Sequence, residues 1–456
     1  MSILNNALSG AVASQVALSA SSQNIANLQT KGYTRQSALL SAVAPAAGAA
    51  QAGNGVRVSQ LLRFSDGYKT QQLWRSASDL GAHSQTQPYL TQLEKVMGDD
   101  TASLSSGVDA FFASLNAVAG VDPTSTPLRQ QVVTAAGLLS QRFNSLNNVF
   151  NAQLQSVRQQ RSALVDAANS TIASIASLNA QIANATATGS NASALVDARD
   201  QAIDSLASQM GVEVSDQPDG TRNVSLKSGQ SLVLGGVAGK LSVTGAATQT
   251  FSLTFAGSKF DLDTTRAGGQ LGGLSAYEQD TLLPLQQGVA DMAQQIADKV
   301  NTQLAAGFTM DNTPGKPLFS YTAGGTSDML QVADGFQTSD LAFSGDGTPG
   351  DTGNLQQLVD IKSQTITLTK IGTVMVGDAD TQLVGRLAVD SQQNKGALTT
   401  AQTMRDQAEA DWQSTSGVNQ DEEAVHLVEY QNMYQANMKV MSVANALFDA
   451  TLQMMG

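Results

Sequence analysis

The sequence predicts a mainly α fold with inserted β structure. Discontinuous N- and C-terminal helices form a coiled coil, followed by a long helical rod domain and a small β-rich outer domain. Three observations carry this. Apolar and small residues repeat every seven positions at both ends of the chain. Between them, from Leu128 to about Ala183, helical periodicity runs without an internal stop signal. At Gly211 the period switches to two, and it becomes helical again near Leu282.

Leu4, Ala11, Leu18 and Ile25 recur every seven residues, with Ala7, Ser14, Ser21 and Leu28 three positions on. That is an a/d seam alternating large and small residues. Gly32 is placed to end the helix and to take a positive φ. No side chain up to Thr30 is charged. The other faces are Asn, Gln and Ser, so the helix is expected to be enclosed by neighbours in an assembly. Phe64 to Met97 is broadly helical, with Leu73, Leu80, Tyr89, Leu93 and Val96 as apolar positions, until Gly98-Asp99-Asp100 breaks it. A short helix holds Phe111, Phe112, Leu115 and Val118. Asp122 to Pro127 makes a turn and a helix start. The long helix that follows would reach ~80 Å at 1.5 Å per residue, and another lies near Ala194 to Met210.

Short alternating runs from Val212 to Leu262, separated by turn signals such as Pro218-Asp219-Gly220 and Gly235-Gly236, predict about six strands. Helical spacing returns from Leu282 to Leu304, with Pro284 in its first turn. Phe308 to Asp351 is loop-rich. Helix follows from Leu355 to Gln364 and from Asp380 to Thr415. Ser416-Gly417-Val418-Asn419 then precedes Asp421-Glu422-Glu423, a helix start whose acids complement the dipole. Leu427, Tyr434, Met441, Phe448 and Met455 repeat every seven residues, with Tyr430, Met438 and Ala444 beside them. From Val440 onward there is one charge, Asp449. Neither terminal seam can be buried alone, so the two invite pairing. The expected division is a terminal assembly domain (1–60 plus 412–456), a helical rod domain (61–211, 270–306 and 354–411), a β-rich insert (212–269) and a loop-rich insert (307–353).

Composition narrows the function. The net charge of -13 argues against a surface for nucleic-acid phosphates or anionic lipid. With no cysteine, thiol chemistry and disulfides are excluded. No run of ~18 apolar residues is evident, so no membrane insertion is expected. The N-terminus lacks the basic and compact apolar regions of a cleaved signal peptide. The chain either stays in the cytosol or leaves by a route that does not cleave its N-terminus.

Catalytic and metal patterns are weak. Glu423-Ala-Val-His426 has the spacing of a carboxylate-bridged metal bundle, which needs two copies, and there is one. Gly235 to Lys240 imitates a phosphate loop, but Leu241 stands where Ser or Thr would bind magnesium. Gly345 to Gly350 fits Gly-x-Gly-x-x-Gly, yet Asp346 and Asp351 would repel a pyrophosphate. Asp340, Asp346 and Asp351 lack the spacing of a calcium loop. The expectation is no enzyme, no metal and no cofactor.

The terminal motifs carry a resemblance. Ser22-Gln23-Asn24-Ile25-Ala26-Asn27 with Thr30-Lys31-Gly32-Tyr33 resembles the N-terminal motif of the flagellar axial proteins of rod, hook and junction. The continuation Tyr33-Thr34-Arg35-Gln36 resembles that of the junction members. At the other end, Ser416 to Glu423, Tyr430-Gln431-x-x-Tyr434-Gln435-Ala436-Asn437 and Ala444-Asn445-Ala446-Leu447-Phe448-Asp449 are similar to the same family. The resemblance implies an extracellular structural protein of the flagellum, exported without signal cleavage. It implies a ring of subunits between the hook protein and a second junction protein, and an export chaperone bound at the C-terminal helix. The assembly residues it marks are Asn24, Ala26, Asn27, Thr30, Gly32, Tyr33 and Arg35, and Gly417, Asn419, Glu422, Glu423, Tyr430, Gln431, Tyr434, Asn445 and Phe448. A hook or rod protein, a scaffold with an enzymatic insert, and a cytosolic coiled-coil scaffold are the other readings.

Overall fold

The computed structural model describes residues 2–44, 53–99, 103–246, 248–325 and 328–455. Helix α1 (Ser2–Ala26) is followed by a hairpin, β1 (Gln36–Ala42) and β2 (Val56–Arg63). Helices α2 (Gly67–Met97), α3 (Leu104–Val121), α4 (Thr126–Thr188) and α5 (Ser193–Gln209) come next. The β insert holds β3 (Val212–Asp216), β4 (Arg222–Leu226), β5 (Ser231–Leu234), β6 (Val237–Ala238), β7 (Lys240–Thr244), β8 (Thr250–Phe255) and β9 (Ser258–Leu262). Then follow α6 (Gly269–Ala276), a π-helical segment Tyr277–Leu282, and α7 (Leu283–Ala305). Two small hairpins, β10 (Phe319–Tyr321) with β11 (Leu330–Val332) and β12 (Thr365–Leu368) with β13 (Gly372–Met375), flank α8 (Gly353–Asp360). The chain ends in α9 (Ala379–Ser416) and α10 (Gln420–Met455).

α4 is the spine. It is 63 residues long, roughly 95 Å at helical rise. Ser125 precedes it, Pro127 sits in its first turn, and Gly189 at φ +69 closes it in the left-handed conformation. Its first half buries Leu139, Phe143 and Phe150 in a core shared with α3, α7, α8 and α9. Its second half buries Val165, Ile172 and Ile175 in a separate core against α5, Trp74 of α2 and the inward residues Val224, Leu232, Leu241 and Leu253 of the β insert. α2 runs beside α9 and crosses α5 and α6 where side chains are absent. A Cβ on Gly81 would meet the Ser208 carbonyl oxygen at 2.2 Å, and one on Gly273 the Ala82 carbonyl oxygen at 2.3 Å.

The β insert differs in detail from the expected six strands. Among the described residues it has seven, in antiparallel sheets ordered β3-β4-β5-β6 and β7-β8-β9. The added β6 is two residues long, too short to show a period. The β1–β2 hairpin lies in a region for which no strand was expected. Its register shifts between Leu39 and Leu40, and that irregularity breaks the alternation a strand would show. The expected break after Met97 is a turn at Gly98, whose N–H bonds to the Glu94 carbonyl; Asp100 lies outside the described residues. The expected helix to Gln364 stops at Asp360, and its tail tightens into a 3-10 turn before β12.

One expectation needs correction. Among the described residues α3 is long and apolar enough, by length and composition, to cross a membrane. Small and polar residues interrupt its apolar run, so no continuous apolar stretch marks it in the sequence. In the fold, Leu104, Val108, Phe111, Phe112, Leu115 and Val118 on one face are buried in the first core.

Candidate functional site

The two ends of the chain meet in a knot of hydrogen bonds around Asn24. α1 unwinds after Ala26: Asn27 donates through Nδ2 to the Gln23 carbonyl, and Thr30 donates to Asn27 Oδ1 at 3.1 Å. Gly32 turns the chain at φ +74. Gln201 of α5 donates to the Lys31 carbonyl beneath this turn. A Cβ at Gly32 would meet Gln201 Nε2 at 2.5 Å, so this position favours glycine on two grounds, conformation and space.

Asn24 is 1% exposed and uses both ends of its amide. Its Oδ1 accepts from the Gln36 backbone N–H at 3.0 Å and from the Tyr33 hydroxyl at 2.9 Å. Its Nδ2 donates to the Gln36 carbonyl at 2.8 Å and to Glu423 Oε1 at 2.9 Å. One side chain thus pins the start of β1 to α1 and α1 to α10. The Arg35 backbone N–H donates to the Ser416 carbonyl at 2.8 Å, and the Arg35 guanidinium pairs with Glu422 at 2.8 Å while lying over the Phe64 ring. Asn419 caps α10 by accepting from the Asp421 and Glu422 amides.

The electrostatics are those of a closed site. The Tyr33 hydroxyl is pushed up to about 12 by burial and by the charges of Asp197 and Glu423, so it stays a neutral donor. Glu423 is 2% exposed, and its Oε2 has no hydrogen-bond partner. Among the described residues, Asn24 supplies its hydrogen bond to α1. Below the knot, Thr34 donates its N–H to Asp197 Oδ2 at 3.2 Å. Arg63 at the end of β2 donates to Asp197 Oδ1 at 2.8 Å and to Asp200 Oδ2 at 3.0 Å. Arg222 of β4 also pairs with Asp200. Burial holds the Asp197 carboxyl above its ordinary range, against the opposing pull of Arg63. A chain of buried charges therefore ties the terminal helices and their hairpin to α5 and the β insert.

Above the knot α1 and α10 pack side by side. Asn24 faces Glu423, and a Cβ on Gly10 would meet Asn437 Oδ1 at 2.5 Å. Each pair is two heptads along its helix, in opposite directions, so the helices are antiparallel. α10 turns Glu423, Leu427, Tyr430, Tyr434, Asn437, Met441 and Ala444 inward, a three-four spacing. α1 answers with small residues: Ala7, Ala11, Ser14, Ala17, Ser21 and Asn24. Here the structure keeps the small members of the expected seam and departs from it at the large ones. Ala11 is buried, but Leu4 is 36% exposed and Leu18 and Ile25 are half-buried. Close approach of the helices selects the small positions and leaves the large ones at the margin. On α10, Met438 and Phe448 face outward, Phe448 at 64%. Met455 ends the helix, and its side chain lies outside the described residues.

Of the residues singled out from sequence, Asn24, Tyr33, Arg35, Glu422 and Glu423 are brought into direct contact. Gly32, Thr30, Asn27, Gly417 and Asn419 shape the turns around them, and Ala26 is the last residue of α1. Tyr430 and Tyr434 line the helix pair, whereas Gln431, Asn445 and Phe448 are exposed. Glu423 is a buried partner of Asn24, not only a helix-start acid. Asp197, Asp200, Arg63 and Gln201 escaped sequence reading, since each is an ordinary charged or polar residue in its own stretch. The acids weighed for calcium serve locally: Asp340 pairs with Lys316, and Asp346 and Asp351 accept backbone N–H groups of their own loop.

Comparison with known proteins places the chain among flagellar proteins. The family described as flagellar hook-associated protein FlgK helical domain matches residues 90–319, and the flagellar basal body rod FlgEFG protein C-terminal family matches residues 412–454. Flagellar hook-associated protein 1 of Escherichia coli (strain K12) is 27% identical over 547 aligned positions, covering 99% of each chain. That of Bacillus subtilis (strain 168) is 26% identical over 490, covering 97% of this chain and 96% of its own. The flagellar hook junction protein FlgK from Burkholderia pseudomallei superposes with a TM-score of 0.52 and 30% identity, over 56% of this chain and 47% of that one.

Proposed function

Because the chain belongs to the FlgK family of flagellar hook-associated proteins, a structural component of the bacterial flagellum outside the cell, we propose that it forms the junction between hook and filament. It does so by self-assembly into a ring through its terminal helices, without catalysis. The observation that carries this reading is the knot at Asn24, which ties α1 and β1 to α10 from opposite ends of the chain. The two helices expose apolar residues to solvent: Leu8 and Val12 on α1, Val440, Val443, Leu447 and Leu452 on α10. Exposed apolar faces of this extent mark association surfaces. The C-terminal match is shared with rod proteins, so the terminal unit supports an axial protein in general, and the helical-domain match supports the junction.

The assembly residues are those of the knot and of the helix pair. The partners are further copies of the chain, the hook protein below and a second junction protein above. Residues 61–211, 270–306 and 354–411 serve as the rod domain, and 212–269 and 307–353 stand on the outside. Export proceeds without signal cleavage, with a chaperone covering α10 from Glu429 to Met455 until assembly, since that segment leaves Phe448 and Met454 uncovered. Immunogold labelling with antibodies against the β insert tests the placement: gold is expected in a narrow band at the distal end of the hook. Gold along the whole hook, or in the rod, would move the assignment to those proteins.

A further inference from the structure

The two tryptophans of the chain, Trp74 on α2 and Trp412 on α9, line the same cavity. It measures about 360 Å³ and is roofed by Lys31 and Gly32. Leu73 adds to its apolar wall. The charges around it are internally spent: Asp200 on Arg63 and Arg222, and Asp204 on Arg405. Two rim charges have no partner among the described residues, Lys31 and Glu409. The volume suits one large side chain, and the lining suits an uncharged, apolar one. On the other side of the Lys31–Gly32 turn lies a polar groove of about 800 Å³ that shares Lys31, Gly32, Glu409 and Trp412 with the cavity. A cavity with apolar walls beside a polar groove suits a side chain together with the backbone that carries it.

We infer that this cavity receives Phe448 from the α10 tail of a second copy of the chain, with Asp449 beside Lys31. The inference rests on the assembly reading above and specifies one of its contacts. Phe448 is exposed, its neighbours Leu447, Leu452 and Met454 are exposed, and Asp449 is the one charge after Lys439. That single negative charge meets Lys31, on a rim where Glu409 is the other charge without a partner among the described residues. The tail cannot fill the cavity of its own molecule. Phe448 lies twenty-five residues beyond Glu423 along a continuous helix, roughly 37 Å at helical rise, and Glu423 is held at the knot. The occupant is therefore another molecule.

The test uses the full-length F448A protein as receiver and a synthetic peptide of residues 440–456 as ligand. The peptide contains no tryptophan, so the emission reports on the cavity and the groove that shares Trp412 with it, and the cavity-filling variant separates the two. Saturable change of tryptophan emission is expected, with affinity falling about tenfold or more for the peptide carrying F448A. Filling the cavity from its rim with Ser205→Phe should abolish the response, and because Ser205 is exposed the fold should be retained. Lys31→Glu should weaken binding severalfold, more at low salt. No saturable response, or equal binding of the two peptides, overturns the proposal. So does binding that survives S205F. Cells whose chromosomal copy is replaced by S205F separate this from the wider reading. Normal filaments there would sink the cavity contact and leave the junction role standing. Normal filaments in cells lacking the protein would sink the junction role itself.

Discussion

Asn24→Leu is expected to cost about 3–5 kcal/mol of the free energy that holds α1 and β1 against α10. Leucine fills nearly the same space, so the loss is chemical. The Gln36 N–H and carbonyl, the Tyr33 hydroxyl and Glu423 Oε1 all lose a partner at once. The largest share comes from Glu423, whose other oxygen has no partner. Stripping the remaining contact leaves a buried carboxylate without a direct bond to α1. Hydrogen exchange of the full chain checks this: protection of the Gln36 amide should fall by two orders of magnitude or more, while α4 amides keep theirs. Asn24→Asp should be worse at neutral pH, because it places a second carboxylate against Glu423. Unchanged protection in Asn24→Leu would show that the knot does not hold the helices together.

Arg63→Ala should sever the terminal unit from the body. It leaves Asp197 buried with Thr34 as its remaining partner, and Asp200 with fewer cations. Breaking a buried pair by removing one partner typically costs about 3–5 kcal/mol. The loss depends on pH in a defined direction. In the native fold burial already holds the Asp197 carboxyl above its ordinary 3.8, with Arg63 opposing. A raised carboxyl contributes stability that is complete below the unfolded value and is lost as pH rises through the folded one. Removing Arg63 takes away the opposing charge and raises the carboxyl further. The deficit of Arg63→Ala is therefore greatest at neutral pH and shrinks as pH falls toward the ordinary carboxylate value. Thermal unfolding between pH 4 and about 8 measures it, and a deficit constant across that range would contradict the assignment.

The frame of the molecule was legible because long helices advertise themselves. The α10 seam could be read from Leu427, Tyr434 and Met441, since its apolar residues are spaced at threes and fours amid polar ones. α1 was harder for a physical reason. With Ala, Ser and Leu all tolerated in a heptad, the sequence admits large and small residues to the seam alike. Close packing against α10 keeps its small members, Ala7, Ala11, Ser14 and Ser21, and leaves Leu4 outside. The β1–β2 hairpin was invisible because its register shift spoils the two-residue period. The knot was half legible. The motif around Asn24 and the acids at Glu422 and Glu423 stood out separately. Their meeting depends on a fold that brings together residues 399 positions apart. Asp197 and Arg63 carried no signal, because a buried ion pair looks like surface charge until its neighbours are known.

The most direct measurement of the junction role is deletion of the gene in its source organism, followed by electron microscopy of the cells and an assay for flagellin in the medium. The account predicts hooks that end bare, no attached filaments, flagellin lost to the medium, and restoration by the wild-type chain. Missing hooks would place the protein in the hook or rod, and intact filaments with normal swimming would contradict the account.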